Sequence, residues 1–310
     1  MTSSNDARST AAAPYQAAGS LRGRTILMSG GSRGIGLAIA TRAAQDGANI
    51  VLMAKTGQPH AKLAGTVFSA AEQVEAAGGQ ALAIVGDVRS DEDVAGAVAA
   101  AVERFGGIDI VLNNASAIDL STTDDVDMKR YDLMQDINVR GTFLLSKLSL
   151  PALRRSAHAH ILTLSPPLNL DPYWAGRHLA YTMAKYGMSL TTLGLAEELK
   201  ADGINVNSLW PCTLIDTAAI RNMPGGQEIV QAARGPQIMA DAAHAVLTGS
   251  NLAGNNLAGA HGGGAHGGSA GAPSGNFYTD EQVLRAAGVT DFRPYSLGAA
   301  EDRLVPDIFL

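Results

Sequence analysis

The sequence predicts an α/β protein built on one doubly wound parallel sheet, and three observations carry that prediction. Short apolar runs alternate with helical patterns from Arg24 to Leu209. The first run stops at a glycine-rich turn that opens a helix. Polar residues gather just after the later runs, where an open parallel sheet presents its ligand crevice.

The first strand is expected at Arg24 to Met28, followed by Ser29-Gly30-Gly31-Ser32-Arg33-Gly34-Ile35-Gly36 and a helix that ends at Gly47. Such a turn suits a pyrophosphate. Gly30 allows a tight bend, Gly34 lets backbone approach the phosphates, and Gly36 lets the helix pack closely, with the helix N-terminus facing the anion. The second strand, Asn49 to Met53, is followed by Ala54-Lys55. A dinucleotide fold that selects NAD(H) carries an acid there. Lys55 and Arg33 instead place two cations at that point, which favours NADP(H) over NAD(H).

A loop from Thr56 to Gly65 leads to a helix over Thr66 to Ala77. The third strand, Ala81 to Val85, ends at Asp87-Val88, and a helix follows from Asp91 to Phe105. The fourth strand, Ile108 to Leu112, ends at Asn113-Asn114-Ala115-Ser116. Asp127 to Ser156 reads as mostly helical, with Asn138 in its middle. The fifth strand, His160 to Leu164, meets Ser165-Pro166-Pro167-Leu168-Asn169, where two prolines end it. The sixth, Ile204 to Leu209, meets Trp210-Pro211-Cys212-Thr213. Asp241 to Thr248 reads as a helix, Asn276 to Thr279 as a last strand and Glu281 to Ala287 as a short helix. The apolar end Asp307-Ile308-Phe309-Leu310 is expected to dock on the domain or on a second subunit.

Between the fifth and sixth strands, Tyr181 and Lys185 stand four apart, so a helix puts them on one face a turn from each other. A lysine ~5 Å from a phenol, at an effective dielectric of ~20, is worth about 3 kcal/mol, enough to bring a pKa of ~10 down by roughly two. The pair is either part of an ordinary helix with one exposed lysine or a proton-transfer site, and the rest of the chain decides between them.

Composition narrows the function. Hydrophobic residues make up 46% and charged residues 17%, enough apolar material for a large core. A net charge of −6 without a basic tract gives no reason to expect nucleic-acid binding. No run approaches the ~18 apolar residues of a membrane span. Cys212 is the one cysteine, which suits a reducing compartment, and a cytoplasmic location is expected. With no activating base beside it in sequence, Cys212 reads as a packing residue. Residues 1–20 read as a disordered leader and 21–310 as one domain. The Gly-rich stretch 249–275 within it is expected to be a flexible surface loop; its His261 and His266 have no fixed geometry for a metal, and no metal site is expected.

Five motifs in fixed order, SGGSRGIG, DV, NNAS, Asn138 and Tyr181-x-x-x-Lys185, together resemble the short-chain dehydrogenase/reductase family over roughly Leu21 to Thr248. The resemblance implies a Rossmann-type single domain and an NADP(H)-dependent oxidoreductase that interconverts a secondary alcohol and a ketone. It implies Tyr181 as general acid/base, Lys185 as the residue that lowers its pKa and bonds the nicotinamide ribose, and Asn138 as the holder of a relay water. Gly30, Ser32, Arg33, Gly34, Ile35 and Gly36 would hold phosphates and adenosine ribose, and Lys55 the 2′-phosphate. Asp87 and Val88 would touch adenine, Asn114 and Ala115 the adjacent ribose, and Pro211 and Thr213 the nicotinamide side. Homo-oligomers, dimers or tetramers, are usual in the family, with the helices around Asn138 and Tyr181 as the interface.

Within the family, stretches such as AKTGQPHAKLAGT and AYTMAKYGMS are similar to one branch whose animal members continue into a sterol-carrier domain, so lipid transfer is not expected of these 310 residues. Two positions depart from the family pattern. The usual catalytic serine position is Pro166, with Ser165 beside it as the substitute candidate and Asn169 as a weaker one. Pro211-Cys212 stands where Pro-Gly is common. Leu168, Leu170, Tyr173, Trp174, Leu214 and Met223 are expected to form an apolar wall for a lipid- or steroid-like substrate, or to pack against a partner subunit. A dinucleotide-binding sensor or scaffold with little turnover is the competing reading.

Overall fold

Strand β1 (Thr25–Ser29) is buried along its whole length, because both faces of its sheet are covered by helices. Successive side chains point to opposite faces. Ile26 and Met28 join one core cluster with Ile50, Leu52 and Leu112, while Leu27 joins the other with Val51, Val111 and Val206. The computed structural model describes residues 15–59, 65–223, 225–249 and 273–310.

Seven strands form one parallel sheet in the order β3-β2-β1-β4-β5-β6-β7. The others are β2 (Asn49–Ala54), β3 (Gln80–Val85), β4 (Ile110–Asn113), β5 (His160–Thr163), β6 (Asn205–Trp210) and β7 (Phe277–Thr279). β1 pairs with β2 on one side and β4 on the other, so the order reverses between β1 and β4. That reversal opens a crevice at the carboxyl ends of the two strands.

Helices α1 (Gly34–Gln45) and α2 (Val67–Ala76) cover the face of the first cluster. α3 (Asp91–Phe105) covers the second. After β4, α4 (Met128–Met134) runs through a π-helical turn, Gln135–Arg140, into α5 (Gly141–Leu153). A π turn of this kind often marks a functional site, and Asn138 lies inside it. The turn after β5 contains a short helix, α6 (Pro172–Arg177), capped by Asp171 and started by Pro172. α7 (Leu179–Glu198) carries Tyr181 and Lys185. The loop after β6 holds two single-turn helices, α8 (Ala218–Arg221) and α9 (Gly226–Ile229), and leads to α10 (Gln237–Thr248), which packs on α1. α11 (Asp280–Ala286) follows β7.

The expected leader divides in two. Residues 1–14 lie outside the described residues. Tyr15 is buried, with its hydroxyl 3.1 Å from His244 Nδ1 on α10, and His244 Nε2 in turn lies 2.8 Å from Asp46. Residues 250–272 of the Gly-rich stretch, His261 and His266 included, also lie outside the described residues.

The segments after β7 are anchored by a buried cation. The Arg234 guanidinium donates to Glu281 and Glu301, each at 2.5 Å, and so fastens α11 and residues 301–303 to the loop after β6. From there the chain runs back along that loop. Leu214 N donates to the Val305 carbonyl and Asp307 N to the Cys212 carbonyl, which delivers Phe309 to the carboxyl ends of the sheet.

Candidate active site

The glycine turn after β1 is held open by β4. Asn114 Nδ2 donates to the Ser29 carbonyl at 3.0 Å and to the Gly30 carbonyl at 2.8 Å. The amides of Asn114 and Ala115 both donate to Ser29 Oγ. Asn114 therefore clamps the turn, and its donors are not turned towards an adjacent ribose. Gly30 has φ +75°, and a Cβ there would come within 2.9 Å of Asn114 Nδ2 and of the Ala115 backbone. A Cβ on Gly36 would stand 2.5 Å from the same amide nitrogen. The space that Gly36 leaves is thus filled by the Asn114 amide and by the Gly30 carbonyl, 3.0 Å from the same position.

α1 begins without a side-chain cap, so the amides of its first turn remain available to an anion. Beside them an open cleft of about 1090 Å³ is lined by Arg33, Gly34, Thr217, Arg221 and Gln227. Ser32 is buried and Ile35 half-buried at the same end. A second cavity of about 550 Å³ lies at the ends of β2 and β3, lined by Lys55, Thr56, Phe68 and Val85. Lys55 is exposed and reaches Asp87 at 3.0 Å. Arg89 and Lys55 together hold the Asp87 carboxyl far below the usual carboxylate range. Arg33 Nη2 donates to the Gly65 carbonyl. Val88 is buried, packed where Gly141 leaves room for it.

At the far end of the crevice, Pro211 is buried and Thr213 carries a buried hydroxyl without a hydrogen-bond partner. An uncapped helix start, glycines at contact distance and an orphaned hydroxyl together fit a long phosphate-bearing ligand laid from Lys55 to Thr213. The backbone at Cys212 is fixed by Asp280, whose Oδ1 accepts its amide at 2.9 Å. Burial pushes the Cys212 thiol up to about 12, so it is no thiolate at neutral pH.

The proton-transfer pair departs from expectation. Tyr181 is only 4% exposed, and burial pushes its phenol far above the usual range; the Asp307 carboxylate pushes it the same way. Lys185 does not bring it down. Its ammonium donates to the Leu164 carbonyl at 2.9 Å and lies 5.0 Å from the centre of the Trp210 ring. Burial brings Lys185 itself down to about 7. The simple two-charge argument therefore fails here, because both partners lose water at once and desolvation disfavours each charged form.

What works in the other direction is nearby Ser116, which lowers the phenol's pKa; it is an exposed residue whose hydroxyl donates to the Ala117 carbonyl at 3.4 Å. Its segment is held by Asn138: Oδ1 accepts from Ala117 N at 2.7 Å, and Nδ2 donates to the Ala117 carbonyl at 3.0 Å. The Asn138 side chain is a positioning group for residues 115–117. The sequence showed Ser116 only as the last letter of a motif, and nothing in the spacing pointed it at Tyr181.

Ser165 is fully buried, with its hydroxyl 2.8 Å from Ser208 Oγ, which in turn donates to Thr192 Oγ1. That interior ladder removes it as a substrate-oxygen donor. Asn169 gives its amide to the Phe309 carbonyl at 3.3 Å. Of the expected apolar wall, Leu170 (84% exposed) and Tyr173 face outwards. Trp174 turns inwards to Phe309, with ring centres 6.0 Å apart. Phe309 completes a third apolar cluster with Met134, Tyr181, Ala184 and Trp210. Asp307, beside it, is half-buried, and loss of water and the neighbouring Asp280 push its carboxyl up to about 7.

Comparison with known proteins agrees with this architecture. A family model described as short chain dehydrogenase matches residues 24–226. Hydroxysteroid dehydrogenase-like protein 2 of Xenopus laevis is 49% identical over 292 residues, and that of Homo sapiens 48% over 292. Each alignment covers 94% of this chain, and the chain spans only 64% of either relative's length. Among solved structures, a putative dehydrogenase from Xanthomonas campestris superimposes with TM-score 0.82 at 48% identity, covering 94% of this chain and 99% of its own. A short chain dehydrogenase from Mycobacterium thermoresistibile does so with the same TM-score and identity, covering 94% and 96%. No described helix is long and apolar enough to cross a membrane. On its motifs, its sheet and these matches, the chain belongs to the short-chain dehydrogenase/reductase family of oxidoreductases.

Proposed function

We propose that the protein is an NADP(H)-dependent reductase that converts a ketone with an apolar body to the secondary alcohol, with Tyr181 as the proton donor. The observation that carries this reading is that Tyr181 and Lys185 stand one turn apart on α7, against Trp210 at the carboxyl end of β6. When bound, the nicotinamide supplies the hydride. The protein's part is the proton. The Tyr181 phenol is protonated at neutral pH and is the proton donor to the carbonyl oxygen.

Ser116 replaces the serine usually found at the Pro166 position, entering from the end of β4 rather than β5. For the cofactor, Lys55 supports NADP(H). It is 58% exposed at the end of β2, already pairs with an anion, and can turn from Asp87 to a 2′-phosphate. Exposed Phe143 on α5 and exposed Met183 and Leu190 on α7 support a homo-oligomer joined through those helices. The single cysteine supports a cytoplasmic setting. The competing reading, a dinucleotide sensor with little turnover, draws on Pro166 and on the covered Tyr181. NADPH binding without turnover of any ketone or alcohol would favour it.

Four substitutions test the assignments. Tyr181→Phe is expected to lower kcat by about 10²-fold or more with NADPH affinity, read by fluorescence titration, unchanged; activity near wild type would remove Tyr181 from the chemistry. Ser116→Ala is expected to lower kcat by about 10²-fold, and Ser165→Ala by less than about twofold, where the reverse order would restore Ser165. Lys55→Asp is expected to weaken NADPH by roughly tenfold or more and leave NADH alone. Equal weakening of both would overturn the 2′-phosphate assignment.

A further inference from the structure

Phe309 is 1% exposed and has φ +77°, the one non-glycine positive φ among the described residues. An aromatic residue rarely adopts that backbone conformation, so the surroundings must hold it there. Its ring lies 5.3 Å from Tyr186, 6.0 Å from Trp174, 6.1 Å from Trp210 and 6.2 Å from Tyr181 (centre to centre), and it stacks on the Tyr181 ring at 24°. These four rings come from the turn after β5, from α7 and from the end of β6. Together they form an aromatic cage around Phe309, with the Tyr181 ring as one of its walls.

The backbone that carries Phe309 is held by separate, breakable contacts. Trp210 Nε1 donates to the Ile308 carbonyl at 3.0 Å, and Asn169 Nδ2 to the Phe309 carbonyl at 3.3 Å. Asp307 N donates to the Cys212 carbonyl at 3.1 Å, and Thr213 bridges to Pro306. The same segment brings the Asp307 carboxyl, a group poorly solvated there, into the neighbourhood of Tyr181 and Lys185. A strained aromatic residue and a half-buried acid on one short segment make its docked position one that a competing apolar ligand can displace.

We propose that Phe309 is an internal stand-in for the substrate: it fills the aromatic cage over Tyr181 in the resting protein and is displaced by ketones that carry a flat apolar group of phenyl size or larger. This rests on the reductase reading for the chemistry but not for the displacement. Such a ligand refills the cage with its own ring, and a small ketone cannot. Removing the Phe309 ring removes the competition, so apparent affinity for bulky ketones rises by the inverse of the fraction in which the cage is already open.

The test uses the full chain with acetone, acetophenone and 2-acetonaphthone as probes. In NADPH-dependent reduction, Phe309→Ala is expected to lower KM for 2-acetonaphthone by about tenfold with kcat held within about twofold, and to leave acetone a poor substrate. Phe309→Leu, which keeps the cage filled if the alanine variant does not fold, is expected to fall between. In the wild-type protein with NADP+, 2-acetonaphthone is expected to speed hydrogen exchange of the peptide containing Val305 and Asp307, which needs no turnover. A raised KM in the variants, or slowed or unchanged exchange in the wild type, would make Phe309 a fixed wall and overturn the proposal. If none of the three ketones is reduced, the reductase reading is what fails, and the exchange measurement still decides the displacement.

Discussion

Loss of water around Tyr181 and Lys185 is the constraint from which the rest of the site follows. A phenol and an ammonium on neighbouring turns attract any reader to a charge–charge argument, and in water-like surroundings that argument holds. Here Trp210, Met134, Ala184 and Phe309 exclude water from both. Desolvation then raises the phenol and lowers the ammonium. The ammonium finds the Leu164 carbonyl instead. A site made this way holds a proton on Tyr181 until a substrate oxygen arrives to take it.

The polar residues at the strand ends act mostly on the protein. Asn114 holds the glycine turn, Asn138 holds residues 115–117 and Asp280 holds the backbone at Cys212. Each turns a loop into a defined wall of the crevice, beside the orphaned Thr213 hydroxyl and the open start of α1. The π turn that contains Asn138 is part of this arrangement, since it lets the side chain reach back to Ala117 between two α-helical segments.

The sheet was legible because apolar runs buried on both faces, each ending in glycine or a polar residue, have few other folds open to them. Strand limits shift by one or two residues, as with β6, expected to start at Ile204 and found at Asn205, and α10 starts four residues before the expected Asp241. Tyr181, Lys185 and the glycine turn were legible for the same reason: their spacing is local. Ser165 was not, because which way a strand-end hydroxyl points depends on Ser208, 43 residues on. Ser116 and Phe309 were not, because their partners are brought to them by the sheet and by the return of the chain along residues 212–214. α6 hid behind two prolines that read as a turn. The pKa argument failed on burial, which no spacing reports.

One titration tests the central claim, that burial and not Lys185 governs Tyr181. The protein, labelled with ¹³C at the tyrosine Cζ and kept free of dinucleotide, gives a signal for each of its seven tyrosines, and Tyr181→Phe identifies the one of interest. If burial governs, the Tyr181 signal stays at its protonated position beyond about pH 10, where an unperturbed phenol titrates. A transition near pH 8, where the attraction of a charged lysine ~5 Å away would put it, would contradict the account.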